Sequence, residues 1–166
     1  FERDGTVIVE PVILSREKSE ELQDNLVMFY VGDVRSASSI LQEQDKNIKN
    51  GYCEVNQLNL CKLARELRNE LNNGRIDSLG EILHDGWQLK RTLATGISNP
   101  LIDQYYETAI KNGAIGGKLL GAGGGGFLLF YVKKDKRQDL ISNMSLMEVP
   151  FRFDKQGSAI VYVGQK

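Results

Sequence analysis

The hydrophobic residues near the start of the chain form two short runs that are rich in β-branched and aromatic side chains. The first run, TVIVEPVIL at 6–14, predicts a strand at a sheet edge or with a bulge, because Pro11 has no N–H to give to a ladder. Ser15 then precedes a charged stretch that favours a short helix and is a suitable N-cap for it. The second run, NLVMFYVG, predicts another strand that ends at Gly32.

The middle of the chain has the three- and four-residue spacing of apolar positions that is typical of helices. Asn99 and Pro100 mark the start of one of them, because asparagine is a favourable N-cap and proline suits the first turn. Leucines in another form an apolar stripe that we expect to be a packing surface, and Trp87 is expected in the core or a groove. Helices are predicted over 34–51, 55–74, 75–96 and 98–113.

The last part of the chain returns to strands. FLLFYVKK at 127–134 predicts a strand and the residues at 135–145 a short helix. A hairpin-like pair is predicted over 149–163, with its turn at 154–157. Strands at both ends with helices between them predict an α+β fold, a mostly antiparallel sheet that helices cover on one face. No internal repeat or linker divides the chain, so we expect 1–166 to be one domain.

Composition and charge exclude several classes of protein. Hydrophobic residues make up 41% and charged residues 26%, as in an ordinary globular domain. The formal net charge of −1 leaves no electrostatic surplus for a nucleic-acid backbone, and no apolar run approaches the roughly 20 residues that span a bilayer. Cys53 and Cys61 lack metal-ligand spacing, and the lone His84 is expected at a helix surface. We therefore expect a cytoplasmic protein with no nucleic-acid, membrane or metal partner in this chain.

The densest cluster of glycines lies at 121–126, where five of six positions are glycine. Gly121, Gly123 and Gly126 satisfy GxGxxG, but a dinucleotide site needs a helix directly afterwards, and a strand is predicted there instead. A Walker A loop would need Gly-Lys-Ser/Thr after the run, and Phe127 stands in that place. A backbone without side chains favours contact between its N–H groups and an anion or ligand, with close packing against the protein as the alternative.

The segment GAIGGKLLGAGGGGFLLFYV at 113–132 resembles the third motif of the GHMP kinases, the superfamily of galactokinase, homoserine kinase, mevalonate kinase and phosphomevalonate kinase. Helix, Gly-Ala-Ile-Gly-Gly-Lys, glycine loop and strand occur in the order of that family. The stretches 25–41 and 86–130 are similar to the C-terminal half of its sugar kinases that act on a heptose 7-phosphate. The resemblance implies a ferredoxin-like antiparallel sheet with additional helices.

The resemblance also implies an activity, which is ATP-dependent phosphorylation of the anomeric hydroxyl of a heptose 7-phosphate. ATP and Mg²⁺ are the implied cofactors. The ATP-binding loop and first sugar-binding motif of the family do not occur here. We therefore expect the chain's own N-terminal domain to bind ATP and Mg²⁺ and to carry the catalytic residues, and the fragment alone to be inactive. The alternatives are a GHMP kinase for galactose, mevalonate or homoserine, and a non-catalytic ferredoxin-like module that binds an anion.

The candidate contacts to the substrate or its phosphate lie in and around the glycine loop. For Lys118 the alternatives are neutralisation of a phosphate and a solvated or capping charge. Arg35 lies between a strand and a helix, where an anion can meet a helix N-terminus, or it is an exposed surface arginine. Ser98 contacts a substrate hydroxyl or caps the next helix. The full set is Lys118, Gly121, Ala122, Gly123, Gly124, Gly125, Gly126, Arg35 and Ser98.

Overall fold

A four-stranded antiparallel sheet organises the protein, whose computed structural model describes residue 2, residues 4–32 and residues 37–154. The strand order is β2-β3-β1-β4, and β2 and β3 form a hairpin across the glycine loop. With helices between β1 and β2 and between β3 and β4, this order is the ferredoxin-like α+β topology that the resemblance implies. The strands are β1 Leu26–Gly32, β2 Ala114–Leu119, β3 Gly126–Val132 and β4 Met147–Glu148.

Six helices are present in the described residues, and four of them lie between β1 and β2. The side chain of Ser15 accepts a hydrogen bond from the Lys18 N–H at 3.2 Å, which confirms the predicted N-cap of the first helix. None of the described helices is long and apolar enough to cross a membrane. The helices are α1 Arg16–Asp24, α2 Ala37–Lys49, α3 Glu54–Asn72, α4 Ser78–Lys90, α5 Pro100–Lys111 and α6 Lys134–Asn143.

Buried apolar clusters lie on both faces of the sheet. The larger cluster includes Phe29 and Phe130 of the central strands together with Trp87, whose predicted core position is confirmed by an exposure of 1%. Tyr131 follows Phe130 in β3 and points to the other face, because successive strand side chains alternate. There it packs with Leu22, Leu26 and Ile76. The prediction that only one face is covered was therefore incomplete.

Helix α4 crosses strand β2 at glycines on both elements. A Cβ atom on Gly116 would lie only 2.0 Å from the carbonyl oxygen of Gly80 and 2.8 Å from Cβ of His84. A Cβ atom on Gly80 would lie 2.7 Å from Cγ2 of Ile115. The helix and the strand can therefore approach this closely only without side chains at the crossing. Sequence analysis did not predict β2, because glycine is a poor strand former.

The hydroxyl of Tyr106 covers the outer edge of β2. It accepts a hydrogen bond from the Gly117 N–H at 3.3 Å and lies 3.4 Å from the Gly117 carbonyl oxygen. His84 Nδ1 lies 2.9 Å from the same hydroxyl, so the prediction that this histidine is a simple surface residue was wrong. Burial raises the pKa of Tyr106 to about 12. The neutral hydroxyl therefore binds backbone groups of Gly117 that pair with no described strand.

One predicted strand and one predicted packing stripe differ in part from the structure. Residues 6–14 pair with no described strand, and residues 149–154 of the hairpin predicted over 149–163 follow the short β4. The rest of that predicted hairpin lies outside the described residues. Helix α3 has no fully buried residue, because its leucine stripe is only half covered by α4.

Replacing Gly116 with alanine tests the crossing of α4 over β2. Because the new methyl group would overlap the Gly80 carbonyl, we expect Gly116→Ala to lower the free energy of unfolding by about 2 kcal/mol or more. The matched control is Gly86→Ala on α4, whose Cβ would make ordinary contacts at 3.8 and 4.0 Å. That change should be neutral or stabilise by up to about 1 kcal/mol, since alanine favours a helix. Urea unfolding of both variants compares them, and equal stability would rule out the steric explanation.

Candidate functional site

The glycine loop turns the chain from β2 into β3. The Leu120 N–H donates to the Phe127 carbonyl at 2.8 Å and closes the hairpin just outside the loop. All five glycines have positive φ, with values of +78° at Gly121 and Gly124 and +119° at Gly123. Residues with a Cβ atom rarely adopt such φ values, so the backbone path explains why glycine recurs here.

The loop is held against the segment between α4 and α5. The Gly124 N–H donates to the carbonyl of Ile97 at 3.0 Å, and Ile97 itself is fully buried. A Cβ atom on Gly123 would lie 2.7 Å from the Ile97 Cα atom. Close packing against the protein, one of the two alternatives predicted for the loop, therefore explains the glycine at 123. Contact between the other glycines and an anion stays a prediction.

Four backbone N–H groups of the loop have no hydrogen-bond acceptor within the described part of the chain. They belong to Gly121, Ala122, Gly123 and Gly125. Gly121 is exposed and Ala122 is half-buried, whereas Gly123 and Gly125 are buried. Most buried backbone N–H groups in folded proteins are paired, and successive unpaired ones form concave anion-binding sites. The loop therefore offers donors that the described residues do not use.

Two lysines lie beside the first residue of the loop. Lys90 in the last turn of α4 donates from Nζ to the Gly121 carbonyl at 2.6 Å. Lys118 in β2 is half-buried, and neither lysine forms an ion pair with a described residue. Burial, and then the positive charge of Lys118, lower the pKa of Lys90. Both line a cavity of about 80 Å³ next to Trp87, so the flank of the loop carries positive charge that no described carboxylate pairs with.

Sequence analysis did not single out Lys90 and missed its contact with the loop. Lys90 lies three residues after Trp87, which puts the two side chains on one face of α4. This spacing was the only feature of the sequence that indicated where the Lys90 side chain lies. The carbonyl that it binds could not be inferred from that spacing.

Ser98 belongs to a hydrogen-bonded group at the start of α5. Its hydroxyl donates to Oδ1 of Asp103 at 2.5 Å, and Arg91 donates to Oδ2 of the same carboxylate at 2.7 Å. The cap of α5 is Asn99, whose Oδ1 accepts from the N–H groups of Leu101 and Ile102 at 3.0 Å each. Asp103 thus fixes the residue next to Ile97, and so supports the segment that holds the loop.

The structure brings most of the predicted site residues together. Lys118 leads directly into the loop, and Ser98 adjoins the residue that binds Gly124. Arg35 lies outside the described residues. No three described His, Cys, Asp or Glu side chains form a group that could hold a metal ion. The arrangement therefore offers backbone donors and two ammonium groups but no described metal ligands.

Comparison with known proteins places this combination of sheet and loop in a family. The family model described as GHMP kinases C terminal matches residues 63–146, slightly more than half of the chain. This chain belongs to the GHMP kinase C-terminal family. The matched region contains α4, α5, the β2–β3 hairpin and the glycine loop.

Three relatives of this GHMP kinase domain show how far the similarity extends. The D-glycero-alpha-D-manno-heptose 7-phosphate kinase of Campylobacter jejuni is 29% identical over 95% of this chain and 47% of its own length. The bifunctional fucokinase/GDP-fucose pyrophosphorylase of Arabidopsis thaliana is 32% identical over 80% of this chain and 13% of its own length. The mevalonate kinase of L. major shares the fold, with a TM-score of 0.64 and 22% identity over 71% of this chain and 36% of its own.

The GHMP kinase domain therefore spans about half the length of the heptose 7-phosphate kinase that it matches, and a smaller share of the plant enzyme. Both curated relatives carry sugar kinase names, whereas the solved structure is a mevalonate kinase. The fold of this chain thus also occurs in a protein named as a mevalonate kinase.

An alanine at Gly123 tests whether the loop depends on its contact with Ile97. Its methyl group would overlap the Ile97 backbone, so we expect Gly123→Ala to destabilise the protein by at least about 1 kcal/mol more than Gly126→Ala. Gly126 is the control because its φ is +100° and its Cβ would meet nothing within 4 Å. Thermal and urea unfolding measure the difference. Equal losses would mean that backbone strain alone requires glycine at position 123.

Proposed function

We propose that this chain is the C-terminal part of an ATP-dependent sugar kinase that phosphorylates the anomeric hydroxyl of a heptose 7-phosphate. The glycine loop is proposed to contact the phosphorylated sugar or the phosphoryl group in transfer. The observation that carries the proposal is the set of unused N–H groups at Gly121, Ala122, Gly123 and Gly125, on a backbone fixed by Ile97.

The chemistry of phosphoryl transfer supports this assignment. The transition state carries negative charge on phosphoryl oxygens, and enzymes stabilise it mainly by positioning and by fixed donors and cations. The loop supplies donors that need no rearrangement, because the bond from Gly124 to Ile97 already fixes its path. Lys118 and Lys90 supply positive charge at the entry to the loop. Lys118 is accordingly proposed to neutralise a phosphate.

The choice of a heptose phosphate rests on the relatives. The heptose 7-phosphate kinase matches nearly the whole chain, at 95%, while the fucokinase matches 80% at a slightly higher identity of 32%. The broader coverage by the heptose 7-phosphate kinase favours the heptose phosphate as substrate. The higher identity of the fucokinase makes L-fucose the second candidate substrate.

ATP and Mg²⁺ are the proposed cofactors, and their ligands are assigned to an N-terminal domain of the longer protein. No group of described residues fits a metal ion, so we derive no step through Mg²⁺ in this chain. The role proposed for the described residues is to bind the phosphate and to orient the sugar. The 166-residue chain alone is proposed to transfer no phosphate.

A coupled assay of ADP release by the full-length protein tests the substrate. The panel is D-glycero-D-manno-heptose 7-phosphate, L-fucose, galactose, mevalonate and homoserine, each with MgATP. We expect the highest kcat/KM for the heptose phosphate and a new anomeric phosphate by ³¹P NMR. Highest activity with L-fucose would support the second candidate, and activity with mevalonate or homoserine alone would refute a sugar kinase.

A valine at Gly124 tests the role of the loop in the full-length protein. We expect Gly124→Val to lower kcat by more than about tenfold, because a displaced loop loses the positioning that accelerates transfer. The control is Gly51→Val, which lies outside the site, has φ of +76° against +78°, and has nothing within 4 Å of its Cβ. Both variants should lose similar stability from the backbone. Unchanged kcat in folded Gly124→Val would show that the loop only packs.

A further inference from the structure

The first described residues form a turn that two backbone hydrogen bonds close. The Glu2 N–H donates to the Thr6 carbonyl at 2.8 Å, and the Gly5 N–H donates to the Glu2 carbonyl at 3.1 Å. Gly5 has φ of +87°, and the Asp4 side chain accepts from the Thr6 N–H at 2.9 Å. These two bonds, together with a glycine of positive φ before Thr6, are the pattern of a short β-hairpin loop. Such a turn sends two antiparallel arms out from Glu2 and Thr6.

One arm of such a hairpin is present. It contacts α3 through the Glu10 carboxylate, which pairs with Arg68, but no described strand pairs with it. Residues 6–14 are mostly apolar and belong to none of the described helices or strands, with exposures of 58% for Ile8 and 87% for Val9. The backbone of residues 7–12 forms no hydrogen bond with any described residue. An exposed strand with unpaired edges and apolar side chains is a site for pairing with another strand.

The direction of the hydrogen bonds identifies which edge is unpaired. Within a strand, successive residues point their N–H and C=O groups to opposite edges. The Thr6 carbonyl accepts its bond from Glu2 on the other side of the turn. In an extended arm, the N–H and C=O groups of Ile8, Glu10 and Val12 therefore lie on the same edge as those of Thr6. Ile13 belongs to the odd-numbered positions, which face the opposite edge of a strand, and its N–H donates to Oδ1 of Asn72 in α3 at 3.2 Å.

Pro11 agrees with this assignment. It lies on the edge that faces away from the missing arm, where the absence of an N–H costs no bond to a partner strand. Pro11 is therefore compatible with a strand that pairs along one edge only, although it would not suit a strand paired along both edges.

We infer that residues 6–12 are one arm of a β-hairpin whose second arm is the segment directly upstream of Glu2 in the longer protein. The turn itself selects this occupant, because only residues that precede Glu2 can continue the bond between Glu2 and Thr6. The relatives leave room for it, since this chain spans 47% of the heptose 7-phosphate kinase. The inference does not depend on the proposed kinase activity.

Amide hydrogen exchange by NMR tests the hairpin. The 166-residue chain is compared with a version that carries the ten residues that its reading frame encodes before Phe1. In the longer version, exchange at Ile8, Glu10 and Val12 should slow by about tenfold or more, because these N–H groups acquire acceptors. Exchange at Val7 and Val9 should not change. The buried strand β3 is the internal reference for an intact fold.

A pair of proline variants in the longer version separates pairing from general ordering. Ile8→Pro removes an N–H from the paired edge and should abolish the slowing at Glu10 and Val12. Val9→Pro removes an N–H from the opposite edge and should retain it. Unchanged exchange, slowing of the odd-numbered residues, or a reading frame without upstream residues would overturn the inference. Slowing that depends on protein concentration in the 166-residue chain would assign the edge to a second copy instead.

Discussion

The absence of side chains where α4 crosses β2 is the constraint on which the rest of the structure depends. The backbone of Gly116 lies so close to the Gly80 carbonyl that no Cβ atom fits between them. This contact sets the height of α4 above the edge of the sheet. On this helix, Lys90 at the C-terminal end reaches the carbonyl of Gly121, two residues beyond the end of β2.

The segment that follows α4 provides the second support of the loop. Beyond α4, Arg91 and Ser98 both bind Asp103 of α5, and Ile97 between them accepts the bond from Gly124. The loop is therefore held at its start by a lysine and near its centre by a carbonyl, both from one stretch of chain. Its glycines fulfil two separate requirements, which are positive φ throughout and close packing at one position.

The sequence predicted the parts of this arrangement that are local. The cap at Asn99, the strand β1 and the position of the loop between an apolar run and a strand all follow from neighbouring residues. Strand β2 could not be predicted, because Gly116 and Gly117 are residues that strands disfavour. The close approach of α4 requires glycine at 116, and the contact with β3 requires it at 117. Lys90 and Asp103 could not be connected to the loop, since their contacts join residues that are distant in sequence. Residues 6–14 carry a true strand pattern, yet no described strand lies beside them.

The contacts of Tyr106 have a consequence for the placement of one hydrogen atom. A hydroxyl has a single hydrogen to donate, and here both His84 Nδ1 and the Gly117 carbonyl oxygen lie within reach. If Nδ1 is bare, the hydroxyl donates to it and leaves the carbonyl with one donor fewer. If Nδ1 carries a hydrogen, the hydroxyl accepts from the ring and turns its own hydrogen toward the strand. The tautomer of His84 on α4 thus determines whether Tyr106 of α5 donates a hydrogen bond to the edge strand β2.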